Sequence, residues 1–261
     1  MMDYLSFKKK FFLLTGFNLE SYKDQQMERR IKQFMERVQV KTFYDYYKLL
    51  EKSDQERVRF LDYLTINTTS FFRDPHVYRK LKSHVLPDIL ERKKSRIKIW
   101  SAGCSTGAEP YSLAILMMEL VGNGSAAYRY SITATDIDPQ ALVKARLGQY
   151  AVNQLDHVSE KSRKKYFIPV GEQLQVRPEV KKRVTFKKHD LLKDSFEKGC
   201  DLILCRNVFI YFKPEIQSQL LDNFIDSLNP LGYMVIGCSE NISNFKQLGL
   251  KKSGIAIFQK E

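Results

Sequence analysis

Hydrophobic positions recur at helical spacing through the first third of the chain and at strand spacing beyond it. Met27, Ile31, Phe34 and Val38 share one face of a 3.6-residue repeat, while Arg29, Arg30, Lys32 and Arg37 fall mostly elsewhere and make one side basic. Phe43, Tyr46, Tyr47 and Leu50 repeat the pattern, then Val58, Leu61 and Leu64, so residues 1 to about 90 read as helical. From Ile97 strands and helices alternate, the sign of a parallel sheet with crossover helices. Strands are expected at Lys98–Ser101, Tyr130–Thr135, Val184–Lys188, Asp201–Cys205, Tyr233–Gly237 and Ala256–Gln259. Helices are expected near Pro110–Val121, Pro139–Leu147 and Pro214–Leu228. Asp138 before Pro139 reads as a helix N-cap, and Asn229-Pro230-Leu231-Gly232 as a turn.

One region breaks the rhythm. Between Gly148 and Val184 stand Tyr150, a short helical patch from Ser159 to Tyr166, and apolar pairs on either side of Gly171. That is too long for a loop in a compact sheet, and it predicts an inserted subdomain of two or three short antiparallel strands.

Composition narrows the class. With 261 residues and 43% hydrophobic content, the chain can bury a large α/β domain beside a smaller one. Its four cysteines show no CxxC pair and no metal-ligand spacing, which reads as reduced thiols in a cytosolic protein. Lys8-Lys9-Lys10 before Phe11-Phe12-Leu13-Leu14 mimics a signal peptide, but the apolar run is short and a helix start is expected. No run approaches the ~20 apolar residues of a membrane span. The net charge of +13 implies either an acidic partner or solubility alone, and no polybasic terminus marks a nucleic-acid tether.

The candidate chemistry gathers at strand ends, where open α/β sheets place their ligands. After the first predicted strand come Ala102 and Gly103, then Gly107 and Glu109, in a strand–turn–helix unit. The glycine spacing is neither that of a dinucleotide site nor that of a P-loop. A carboxylate at Glu109 repels phosphate and suits a ligand with hydroxyls and positive charge, such as S-adenosylmethionine. Asp136 ends the second strand, where its carboxylate is able to accept from both hydroxyls of a ribose; Asp138 is the poorer candidate because it already caps a helix. Asp190 follows the strand ending at Lys188 and suits an adenine amino group.

These residues resemble the chemotaxis receptor methyltransferases of CheR type, over essentially the whole chain. The resemblance rests on Asn67-Thr68-Thr69-Ser70-Phe71-Phe72-Arg73, on Trp100-Ser101-Ala102 with Ser105-Thr106-Gly107 and Glu109-Pro110-Tyr111-Ser112, on Ala134-Thr135-Asp136-Ile137-Asp138, and on Cys205-Arg206-Asn207 with Ile210-Tyr211-Phe212. Ala108 and Asp190 depart mildly from the family pattern. The resemblance implies a Rossmann-like class I methyltransferase of α/β class, with an all-α N-terminal domain (1–75), a methyltransferase domain (76–261) and a small antiparallel β subdomain inserted at 148–183. It implies S-adenosyl-L-methionine as cofactor, with S-adenosyl-L-homocysteine as product. Cofactor contacts are expected at Asn67, Thr69, Arg73, Ala102, Gly103, Glu109, Asp136, Asp190, Leu191, Arg206 and Asn207, and Arg73 and Tyr211 are expected nearest the reaction.

The implied reaction methylates receptor glutamates, which are ionised at neutral pH and need no general base, their unperturbed pKa being ~4.3. The face bearing Arg29, Arg30 and Arg37 is the expected dock for acidic cytoplasmic receptor helices. Some relatives grip a receptor C-terminal pentapeptide with the β subdomain; Pro169-Val170-Gly171-Glu172-Gln173 looks short for that, so tether-independent action is expected. A cytoplasmic protein without nucleic-acid partner or membrane insertion follows from this reading. The rivals are a nucleic-acid methyltransferase and a non-catalytic binding module. The position after the fourth strand reads Arg206-Asn207-Val208-Phe209, without the proline pair of amino-methylating enzymes.

Overall fold

The computed structural model describes residues 2–65, 67–93, 96–122 and 130–261. The chain forms two compact units, one of Met1–Ile66 with Tyr211–Ser218, the other of Asn67–Ile210 with Gln219–Glu261.

The first unit is helical: α1 (Tyr4–Thr15), α2 (Asp24–Arg37), α3 (Phe43–Lys52) and α4 (Asp54–Leu64). Side-chain caps set the starts of α1, α3 and α4, with Asp3 accepting from Ser6 N, Thr42 from Asp45 N and Ser53 from Glu56 N. The segment resembling a signal peptide is α1, whose Phe7 and Phe11 are buried. Met27, Ile31 and Phe34 of α2 are buried as the pattern predicts. On α4 the pattern is displaced, with Val58 47% exposed while Phe60 is fully buried. Phe60 sits 5.3 Å from Phe11, 5.2 Å from Phe34 and 5.0 Å from Tyr46 between ring centroids, and the larger aromatic takes the core position. Tyr211–Ser218 joins this unit through its backbone: Lys23 N donates to Tyr211 O (3.0 Å) and Lys213 N to Ser21 O (3.0 Å).

The second unit opens with α5 (Pro75–Lys80), which passes through a π turn into α6 (Leu86–Arg92). There follow β1 (Ile97–Ala102), α7 (Ala108–Val121), β2 (Tyr130–Asp136), α8 (Pro139–Leu147) and β3 (Gln149–Ala151). Next come α9 (Glu160–Tyr166), β4 (Phe167–Val170), β5 (Gln173–Val176), α10 (Pro178–Lys181), β6 (Val184–Lys188) and β7 (Cys200–Cys205). The chain closes with α11 (Pro214–Ser227), β8 (Leu228–Ile236), β9 (Leu250–Gly254) and β10 (Ile257–Lys260). Among the described residues seven strands form one sheet in the order β6-β2-β1-β7-β8-β10-β9. β6, β2, β1, β7 and β8 run parallel, and β10 is antiparallel to both its neighbours. The strand order reverses at β1, which lies between β2 and β7 and aligns Ala102 with Thr135.

Two details escaped the sequence pattern. β9 carries one buried apolar residue, Leu250, followed by Lys251 and Lys252; such an edge strand has little periodicity to read. Asn229–Gly232 loop out opposite Asp201, so the predicted turn lies inside the span of β8, where pairing resumes at Leu202 with Tyr233.

The inserted segment forms a separate three-stranded antiparallel sheet, β3-β5-β4. Several contacts tie it to the main body. Tyr150 Oη donates to Thr106 O (2.6 Å), and the Phe71 ring meets Tyr150 and Phe167 edge-on at 4.8 and 5.1 Å.

Candidate active site

The carboxyl ends of β1, β2 and β7 meet the loop Asn67–Asp74 in the second unit. The turn after β1 needs Gly103: its φ is +75°, and a Cβ there would lie 2.5 Å from Val208 Cγ2. Gly107, at φ +92°, admits α8, since a Cβ would lie 2.9 Å from Ala145 Cβ. The turn's amides serve the protein itself. Gly103 N and Cys104 N donate to Thr135 O (2.8 and 2.9 Å), and Ser105 N donates to Asp136 Oδ2 (2.7 Å). The glycines therefore fix β1 against β2 rather than presenting those N–H groups to a ligand, because buried amides require acceptors.

Asp136 was expected to be open and Asp138 occupied; both are engaged. Asp136 accepts from Ser105 N and Asp138 N, while Asp138 caps α8 through Gln140 N and accepts from Asn67 Nδ2 at 2.6 Å. A carboxylate oxygen has two lone-pair sites, so each Asp136 oxygen keeps capacity for a further donor. Burial raises its pKa, only partly offset by the Asp138 and Ser105 amides, to about 6.

Glu109 is held at the start of α7 and accepts from Ser101 Oγ (2.8 Å) and from Arg206 Nη1 (3.3 Å). Burial raises its pKa, and Arg206 opposes that rise. Arg206 is itself buried and forks further: Nη2 donates to Asp74 Oδ2 (2.6 Å) and to Arg73 O (2.9 Å). Arg206 Nε is buried and without a hydrogen-bond partner among the described residues.

The loop above is fixed at several points. Asn67 Oδ1 accepts from Ser105 Oγ (3.2 Å), Phe72 N donates to Ser112 Oγ (3.0 Å), and Thr69 O accepts from Gln154 Nε2 (3.2 Å). Arg73 is half-buried, its Nη1 3.4 Å from Thr68 O. Asp190 accepts from Leu192 N and stands 3.7 Å from Lys193 Nζ; Leu191 beside it is half-buried. Asn207, at φ +60°, follows Arg206. The second unit thus gathers Asn67, Thr69, Arg73, Ala102, Gly103, Glu109, Asp136, Arg206 and Asn207 by direct bonds or neighbouring positions. Tyr211 ends the 3-10 turn Phe209–Tyr211 and belongs to the helical unit, as do Arg29, Arg30 and Arg37. Arg29 and Arg37 are exposed; Arg30 turns inward, donating to Tyr63 O with its guanidinium over the Tyr63 ring.

Sequence reasoning missed Asp74 and Gln154. Asp74 precedes Pro75 in a left-handed conformation, a signal legible as a helix start but not as a partner for an arginine 132 residues away.

Two family models cover nearly all of the chain: the CheR methyltransferase all-alpha domain matches residues 2–65, and the CheR methyltransferase SAM binding domain matches residues 67–255. The chain belongs to the CheR methyltransferase family. It is 41% identical to the "Chemotaxis protein methyltransferase" of Listeria innocua over 95% of this chain and 93% of that one. It is 40% identical to the protein of the same name from Listeria monocytogenes, with the same coverage, and 32% identical to that of Salmonella typhimurium over 95% of this chain and 86% of that one. The protein is an S-adenosylmethionine-dependent methyltransferase of the chemotaxis system, with the class I fold expected from its sequence. No helix among the described residues is long and apolar enough to cross a membrane.

The residues present fit that cofactor. Asp136 and Glu109 offer acceptors for hydroxyl and ammonium groups, and Arg206 retains an unused donor beside them. A pH dependence follows. Asp136 is pushed up from 3.8 to about 6 in the fold, so its ionisation disfavours the apo protein progressively between those values, by on the order of 3 kcal/mol once above the higher one. Lowering the pH from 7 to 5 relieves about half of that penalty, while a ligand hydroxyl placed on Asp136 would lose its charged acceptor. S-adenosylhomocysteine affinity, measured by titration calorimetry, is expected to fall about tenfold at pH 5, as this group's stability contribution rises.

Proposed function

We propose that the enzyme esterifies glutamate side chains on acidic cytoplasmic helices of chemotaxis receptors, in the cytoplasm and with no nucleic-acid substrate. The observation that carries this reading is the convergence of Glu109, Asp136 and Arg206 beneath the Asn67–Asp74 loop, with Arg73 on that loop. Bound S-adenosylmethionine supplies a methyl group on a sulfonium sulfur, an electrophile that an ionised glutamate attacks without a base. Asp136 accepts from the ribose hydroxyls, Asp190 and Leu191 border the adenine, and Glu109, Asn67, Thr69 and Asn207 hold the remainder. Arg73 positions a carboxylate rather than activating it, because a strong fork would withdraw charge from the attacking oxygen. Tyr211 steers the acceptor by a hydrogen bond.

Labelled cofactor incubated with receptor-bearing membranes tests the reaction. Base-labile label on receptor, lowered about a hundredfold in Arg73→Ala and clearly reduced in Tyr211→Phe, is the expected result. Label in added nucleic acid, or full turnover in both variants, contradicts it.

Docking runs through the exposed basic side of α2. Arg29 and Arg37 are the contacts; Arg30 contributes less, because it is half-buried and donates to Tyr63 O, whereas Arg37 lies over the Tyr63 ring but stays exposed. Arg29→Glu with Arg37→Glu is expected to raise the receptor KM roughly tenfold at low salt, and the gap should close as salt screens exposed charge. The two-residue connection Gly171–Glu172 between β4 and β5 supports tether-independent docking, so receptors lacking a C-terminal pentapeptide should be methylated equally in the same assay.

A further inference from the structure

Glu240 lies beyond β8, far in sequence from every motif of the site. Three backbone amides converge on its half-buried carboxylate. Oε2 accepts from Asn207 N (3.0 Å) and Gly237 N (2.5 Å), and Oε1 accepts from Ile210 N (3.2 Å). Two of these donors belong to the turn that leaves β7 and leads from Arg206 to Tyr211.

That turn is strained. Asn207 holds φ +60°, a left-handed conformation that costs a side-chain-bearing residue about 1 kcal/mol or more unless its surroundings enforce it. Charge-assisted bonds from a carboxylate to backbone amides are roughly twice as strong as neutral ones. Gly237 completes the arrangement: a Cβ there would lie 2.8 Å from Asn207 N and 2.8 Å from Glu240 Oε2, so only glycine lets the carboxylate approach. On the far side, Gly103 leaves room for Val208, the next residue of the turn. The turn is thus clasped from the β8 end by an anion and from the β1 end by a missing side chain.

We propose that Glu240 is a positioning residue for methyl transfer, fixing the Asn207–Ile210 backbone so that Asn207 meets the cofactor. It touches neither ligand. This rests on the reading of the site given above.

Glu240→Gln preserves volume but sets an amide NH2 against backbone N–H donors; Glu240→Asp preserves charge but withdraws it by one methylene. Both are assayed in the full chain for amide hydrogen exchange at 207, 210 and 237, for S-adenosylhomocysteine affinity, and for kcat and KM on receptor membranes. In Glu240→Gln the three amides should exchange about tenfold faster while the rest of the sheet keeps its protection. Its kcat should fall at least about tenfold with the receptor KM within about twofold, and Glu240→Asp should recover part of both. If Glu240→Gln does not fold, Glu240→Asp is judged alone by the same two readouts.

Unchanged exchange at 207 and 210, or a lowered melting temperature with kcat per folded molecule intact, overturns the proposal. If the unaltered protein neither binds S-adenosylhomocysteine nor methylates receptor, the reading of the site fails instead. The exchange measurement still decides whether Glu240 holds the turn.

Discussion

Replacing Arg206 with alanine is expected to destabilise the protein by about 3–5 kcal/mol and to abolish measurable S-adenosylhomocysteine binding. The guanidinium lies between Glu109 and Asp74 and also donates to the carbonyl of Arg73. Its removal leaves the half-buried Glu109 without its hydrogen-bonded cation and releases the loop that carries Arg73. That loss is a large share of the 5–15 kcal/mol typical of folded domains, so a shift in the urea midpoint will report it. Arg206→Lys should rescue little, since an ammonium cannot span two carboxylates and a carbonyl as a planar fork does. Glu109→Gln is the milder change, because Arg206 keeps Asp74 at 2.6 Å. A stable Arg206→Ala variant with normal cofactor affinity would refute this account of the cluster.

Gly103→Ala is the second large effect. The new methyl would stand 2.5 Å from Val208 Cγ2 at a φ of +75°, so overpacking and backbone strain add, each about 1–3 kcal/mol. The displaced Val208 also moves the turn bearing Asn207, and cofactor affinity should fall with stability. Val208→Ala in the same chain separates the two causes. It should recover the packing component, seen as a partial return of the melting temperature, and leave the strain. Complete recovery, or none, would show that the clash and the strain are wrongly apportioned.

The strands were legible because parallel strands buried on both faces read as short apolar runs, and α7 because Pro110 opens an apolar stretch. Val58 misled, because spacing alone cannot tell whether Val58 or Phe60, two residues on, meets Phe11, Phe34 and Tyr46. At the site, the residues on strand ends and the glycine turn were readable from local pattern. The groups that hold them were not. Asp74 meets Arg206, and Glu240 meets Asn207, across separations of 132 and 33 residues that no local pattern encodes. The same limit explains Asp138: its capping role is local and visible, whereas its bond from Asn67, 71 residues away, appears only in the fold. Local spacing marks the glycine turn but not where the amides of Gly103, Cys104 and Ser105 go, which is onto Thr135 and Asp136.

The structure of the protein crystallised with S-adenosylhomocysteine is the most direct test of the site. The ribose hydroxyls are expected on Asp136, added to its bonds from Ser105 and Asp138, with the amino-acid end of the ligand among Glu109, Arg73 and Arg206. A ribose bound elsewhere, with Asp136 keeping only its two backbone donors, would contradict the account.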